Sequence, residues 1–78
     1  MDKTYMPLNF ISIGKLAEID RVVGTEAICK RLMEIGFNKG AVVEIINNES
    51  GRLLIRVGES RLVIGRAMAQ KVMAREIE

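Results

Sequence analysis

Few side chains in this sequence can do covalent or metal chemistry. Histidine is absent and cysteine occurs once, at Cys29. This removes the commonest general base and the commonest metal ligand together. Cys29 and Met33 stand one helical turn apart, so a thiolate and a thioether could hold a soft ion such as Cu(I). No third ligand is within reach by sequence, and a free Cys beside a Met also serves as adaptable packing. Glu18 and Asp20 share one face of an alternating segment, as paired carboxylates do in some enzymes. Glu44, Glu49 and Glu59 are scattered and form no ligand-dense Ca²⁺ loop. The expectation is no catalytic residue, no metal ligand and no cofactor, hence a protein that is not an enzyme.

Contact chemistry is better represented. Arg52, Arg56 and Arg61 fall on neighbouring predicted strands and, with Lys39, could meet phosphate or an acidic protein. Barrel-type readers of nucleic acid add aromatic stacking platforms. The aromatics here are Tyr5, Phe10 and Phe37, and the last two have predicted core roles. A net charge of +2 is too small an excess to be a phosphate footprint. Gly36 and Gly40 match the membrane-helix dimer spacing but lie outside any long apolar stretch. Val42 and Ile46 share a face with Glu44, and Leu54 shares one with Arg52 and Arg56; aliphatics among charges suggest a docking surface. Cys29 and Met33 flank a helical stripe that only weakly claims them, and Lys30 and Lys39 could ring them with steering charge. The predicted partner-binding set is therefore Cys29, Lys30, Met33 and Lys39, with Leu54 on the second-ranked face.

The elements that position these residues are short. Residues 1–9 read as an N-terminal tail and lead-in, and residues 10–78 as a single domain. Phe10, Ile11 and Ile13 form the first predicted anchor, ended by Gly14. Lys15–Val23 alternates as a strand with Ala17, Ile19 and Val23 inward. Thr25 is a good helix N-cap, and Glu26 puts negative charge in the first turn. Ile28, Leu32 and Ile35 then make one apolar stripe, with Gly36 as the stop. Phe37 is placed to pack back on Leu32, and Asn38, Lys39 and Gly40 make a turn. Ala41–Ile46 reads as a strand, residues 47–51 as a hairpin loop, and Arg52–Val57 as the returning strand. A turn at residues 58–60 leads to a strand over Arg61–Ile64. A single helical turn over Gly65–Gln70 and a last strand over Val72–Ile77 complete the chain. Frequent turns and short strands predict a mainly β fold, a small barrel with one helix inserted after the first strand.

The remaining bounds agree with a small single domain. A chain of 78 residues buries only about 60% of its unfolded surface, so the core must be thin. There is no apolar run of transmembrane length and no signal-peptide core, and one thiol suits a reducing compartment; the expected location is cytoplasmic, without direct membrane insertion.

The run RLMEIGFNKGAVVEII, residues 31–46, resembles the signature of the FeoA family, small proteins linked to bacterial ferrous iron transport. That signature is an arginine–leucine pair, a helix end of the L-G-F type, a two-residue spacer and glycine, then an alternating strand. It is carried here by Arg31, Leu32, Gly36, Phe37, Gly40, Val43 and Ile45. Met6–Leu8 is similar to the family's opening, and the run RLVIGRAMAQKV to its closing strand and turn. The same domain also forms the C-terminal part of iron-responsive repressors of the DtxR type, but a chain this short has no room for their helix-turn-helix domain. The resemblance implies an SH3-like barrel. It further implies a non-enzymatic accessory that docks on the cytosolic part of the FeoB membrane transporter, with no nucleic acid expected and weak self-association left open. The alternative reading is a small basic barrel that binds nucleic acid or acts in metal-responsive transcriptional regulation.

Overall fold

Met6–Pro7 forms a two-residue strand, β1, that pairs antiparallel with the last strand. The computed structural model describes residues 4–77, so the first three residues of the expected tail and the last residue of the expected domain lie outside it. A 3-10 turn over Leu8–Phe10 follows β1, closed by Ile11 N–H donating to Leu8 O at 3.1 Å. A turn of this kind sets side chains three apart on one side. Leu8 and Ile11 are accordingly buried, while Phe10 and Ile13 are 66% and 55% exposed. Within the expected tail and lead-in, Leu8 is therefore a core residue and Met6 packs against the core, and of the three predicted anchors only Ile11 is buried.

β2 (Leu16–Val22) lies between β6 (Val72–Ile77) and β3 (Val42–Glu49). Its pairing with β6 slips by one residue between Ile19 and Arg21. An extra residue in one strand reverses the in–out parity beyond it. Ala17 and Ile19 face the core as predicted, but after the slip Val22 packs inward and Val23 is exposed. β3 carries a second slip, between Ile45 and Asn47, against β4 (Arg52–Val57). The hairpin between them is tighter than the predicted five-residue loop. Ser50 and Gly51 alone turn the chain, both with positive φ as two-residue hairpins require.

The helix α1 (Glu26–Ile35) matches its expected caps. Thr25 Oγ1 accepts the Ile28 N–H at 3.2 Å. Leu32 is buried, and Ile28 and Ile35 pack at the margin of the core. Gly36 has φ +126°; its N–H donates to Met33 O and the Phe37 N–H to Leu32 O, both at 3.1 Å. These are the paired bonds of a Schellman stop. The stop is then tied to the sheet: Gly40 N–H donates to Ile19 O, and Ile19 N–H to Ala41 O, each at 2.8 Å. A Cβ on Gly36 would sit 2.8 Å from Val57 Cγ1. Both the backbone angle and this approach to β4 exclude a side chain. Gly36→Ala is expected to destabilise the domain by more than about 1 kcal/mol, measured as a lower urea midpoint at unchanged slope; an unaltered midpoint would show that the helix end can relax.

β5 (Ser60–Gly65), the one-turn helix α2 (Arg66–Ala69) and β6 complete the chain in the predicted order. The strand order is β1-β6-β2-β3-β4-β5, antiparallel throughout. The five longer strands all contribute to one buried cluster, including Ala17, Val43, Leu53, Ile64 and Val72. A single sheet whose strands all reach one core must curl around it, which is the SH3-like barrel. The ladder ends at β1 on one side and at β5 on the other.

Candidate functional site

The predicted contact residues on α1 follow from the helix's own geometry. With Leu32 turned inward, Met33 points away from the core and is 49% exposed. Glu26, Lys30 and Glu34 surround it in a shallow depression on the outer helix face. Lys30 stands one turn from each carboxylate, so its charge is locally balanced. Cys29 sits one turn before Met33 but is half-buried, its Sγ 3.8 Å from both Val22 O and Gly24 O. At that spacing the thiol is a weak donor to two backbone acceptors. Among the described residues, no three His, Cys, Asp or Glu side chains gather as a metal site would need.

Lys39 and Leu54 lie elsewhere. Asn38 reaches back to the helix end, its Nδ2 3.5 Å from Met33 O, but Lys39 beyond it lines a separate cleft with Tyr5, Glu18, Asp20 and Arg75. Leu54 is on the outer face of the sheet, opposite Val63 in register. The predicted set thus falls on more than one surface: Lys30 and Met33 share the helix face, Cys29 is tucked beside them, and Lys39 and Leu54 each belong to another patch.

The cleft around Lys39 also places the two strand carboxylates. Glu18 faces Arg75 across β2 and β6 and accepts its Nε–H at 2.7 Å. Asp20 sits at the slip of β2, with Arg21 as its nearest cation at 4.0 Å. The alternation that would make them an equivalent pair is interrupted at that point. Glu18 is a structural cross-strand partner of Arg75.

The three strand arginines share one face of the sheet, and two of them are neighbours. Arg56 lies directly opposite Arg61, and Arg52 opposite Gly65, with Leu54 and Val63 between them. Glu44 binds Arg56 at 3.3 Å, so the patch is less basic than its arginine count suggests. Sequence reasoning passed over one further feature, an apolar groove between α1 and β5 lined by Ile35, Leu62, Ile64 and Met68. The outward alternation of Arg61 and Val63 was visible in the sequence, but the position of β5 at the end of the sheet was not.

Residues 6–76 match the family model described as the FeoA domain. A Methanocaldococcus jannaschii protein, provisionally named Fe(2+) transport protein A, is 29% identical over 92% of this chain and 88% of its own. The crystal structure of an iron uptake regulatory protein, FeoA, is similar with a TM-score of 0.87 at 25% identity, covering 95% of this chain and 100% of that one. The Stenotrophomonas maltophilia FeoA, solved with zinc and described as a prokaryotic SH3 domain protein, is 29% identical with a TM-score of 0.77, covering 88% of each chain.

Proposed function

The chain belongs to the FeoA domain family, and on that premise we propose that it is a non-enzymatic cytoplasmic accessory of ferrous iron uptake that docks on the cytosolic part of a FeoB-type membrane transporter. The observation that carries this reading is the family match over residues 6–76. The relatives' names point the same way: one is named for Fe(2+) transport, and another is described in terms of a ferrous iron transport activating factor. The chemistry of the chain is compatible with an adaptor. Its best-placed strand carboxylate, Glu18, is held by Arg75, and among the described residues no helix is long and apolar enough to cross a membrane.

The docking surface in this reading is the outer face of α1, centred on Met33. An exposed methionine is a flexible, polarisable contact that adapts to a partner surface. Its ring of Glu26, Lys30 and Glu34 supplies both signs of charge for orientation. The sheet face carrying Val42, Ile46 and Leu54 is the competing surface.

The test uses two charge substitutions, Met33→Glu and Leu54→Glu, each checked for an unchanged circular dichroism spectrum. Affinity for the transporter's cytosolic portion is expected to fall at least tenfold for Met33→Glu, about 1.4 kcal/mol, and to stay near wild type for Leu54→Glu. The reverse pattern would move the site to the sheet face. No measurable binding by the unaltered chain would end the docking proposal itself.

A further inference from the structure

The two ends of the sheet are not alike. β1 is two residues long and contains Pro7, which has no N–H to offer, so that edge is blunted. β5 runs six residues in unbroken register with β4 and contains neither proline nor a bulge. Among the described residues it pairs with β4 alone, and no backbone hydrogen bond joins residues 60–64 to any other segment. In an antiparallel ladder alternate residues direct their N–H and C=O groups to opposite sides. About half of the backbone groups of β5 therefore face outward, unpaired.

The groove noted above follows this edge. Leu62, Val63, Ile64 and Gly65 all line it, although successive strand residues point to opposite faces. Four consecutive residues can border one groove only along the edge of the strand. Its far wall is α1, through Arg31 and Ile35, and Met68 adds an apolar contact.

Charge says what would occupy it. Arg21, Arg56 and Arg75 each lie within 4.0 Å of a carboxylate oxygen. Among the described residues the remaining arginines, Arg31, Arg52, Arg61 and Arg66, have no such partner. All four sit on β5, directly beside it or across the groove from it. Among the described residues the arginines without an ion pair are thus gathered where the backbone is unpaired, whereas Lys15, Lys30, Lys39 and Lys71, also without one, lie elsewhere. A second copy of this chain is a poor occupant, because pairing β5 with itself would gather the arginines of both copies along one seam.

We propose that the β5 edge accepts an extended, acidic segment of a partner protein as an added strand. The segment pairs with the free backbone of β5, rests alternate apolar side chains on Ile35 and Met68, and presents carboxylates to Arg31, Arg61 and Arg66. This is strand addition with specificity set by charge and alternate pockets. It does not depend on the transporter reading, since it concerns a different surface and defines its partner by chemistry alone.

The test titrates the full ¹⁵N-labelled chain with three synthetic octapeptides. One alternates glutamate and valine, one alternates lysine and valine, and one is the first with alternate valines replaced by proline. The glutamate–valine peptide is expected to shift amides of residues 58–66, Arg31 and Ile35, and to slow hydrogen exchange along β5. The lysine and proline peptides should bind at least tenfold more weakly. The double variant Arg61→Glu with Arg66→Glu should lose at least tenfold for the acidic peptide; if it does not fold, Arg31→Glu gives the same comparison at the opposite wall. The proposal is overturned if the acidic peptide leaves β5 unshifted, or if the proline peptide binds as well as the acidic one, which would make charge alone sufficient. Concentration-dependent shifts of β5 without any peptide would overturn it in favour of a second copy.

Discussion

Phe37→Ala is expected to lower the unfolding free energy by about 3–5 kcal/mol. Phe37 is 1% exposed and is the largest fully buried side chain. It occupies the position after Gly36 in the helix stop, with its N–H bonded to Leu32 O. Its ring therefore belongs at once to the helix end and to the core cluster that also holds Leu32. Removing the ring leaves a cavity at this junction, and the tight stop lets little backbone move in to fill it. A domain of this length has a total stability of about 4–12 kcal/mol. The variant should be marginally folded, with a urea midpoint well below that of the wild type. Phe37→Leu, which keeps most of the apolar volume, should recover a substantial part of the loss. Equal midpoints for wild type and Phe37→Ala would mean that the ring is not a core element.

Local signals made this junction legible in the sequence. Thr25, the Ile28/Leu32/Ile35 stripe, Gly36 and Phe37 each act over one helical turn or less, so residue type and spacing suffice to place them. The same holds for the strands whose parity is unbroken. Leu53, Ile55 and Val57 alternate inward as expected. What the sequence did not disclose was where parity breaks. Val22 and Val23 are the same residue type at adjacent positions, and only the slip of β2 against β6 decides which faces the core. Nothing within residues 16–23 records that slip, because its cause is pairing with a strand some 50 residues away in the chain.

The candidate site shows the same limit. Lys30 and Met33 were correctly placed together because three residues along a helix is a local relation. Lys39, expected beside them, lies in another cleft, since its neighbours are set by how β2 and β6 are brought together. The groove along β5 was invisible for a further reason. Which strand ends a sheet is a property of the strand order, and Ser60–Gly65 would read identically as a central strand. Its exposed Val63 and unpaired arginines acquire meaning only once β5 is known to be an edge.

The amino-terminal segment gives the sharpest test of tertiary structure against the sequence pattern. Leu8→Ala is expected to cost about 2–5 kcal/mol, whereas Phe10→Ala should stay within about 0.5 kcal/mol. On hydrophobicity alone the order would be reversed, since Phe10 is the larger apolar residue and Leu8 follows the only proline. The 3-10 turn decides otherwise: it directs Leu8 inward, at 0% exposed, against α2 and β6, and leaves Phe10 in solvent. The main-chain pairing of β1 with β6 anchors the turn, through Met6 with Ala74 and Pro7 with Met73. At about 4–8 °C per kcal/mol for a domain of this size, Leu8→Ala should lower the thermal midpoint by about 8 °C or more and Phe10→Ala by a few degrees at most. Deleting residues 1–9 should be at least as damaging as Leu8→Ala, because it removes β1 as well. A truncated chain that melts like the full one would restore the reading of this segment as a tail, and would require another residue to fill the space that Leu8 occupies between α2 and β6.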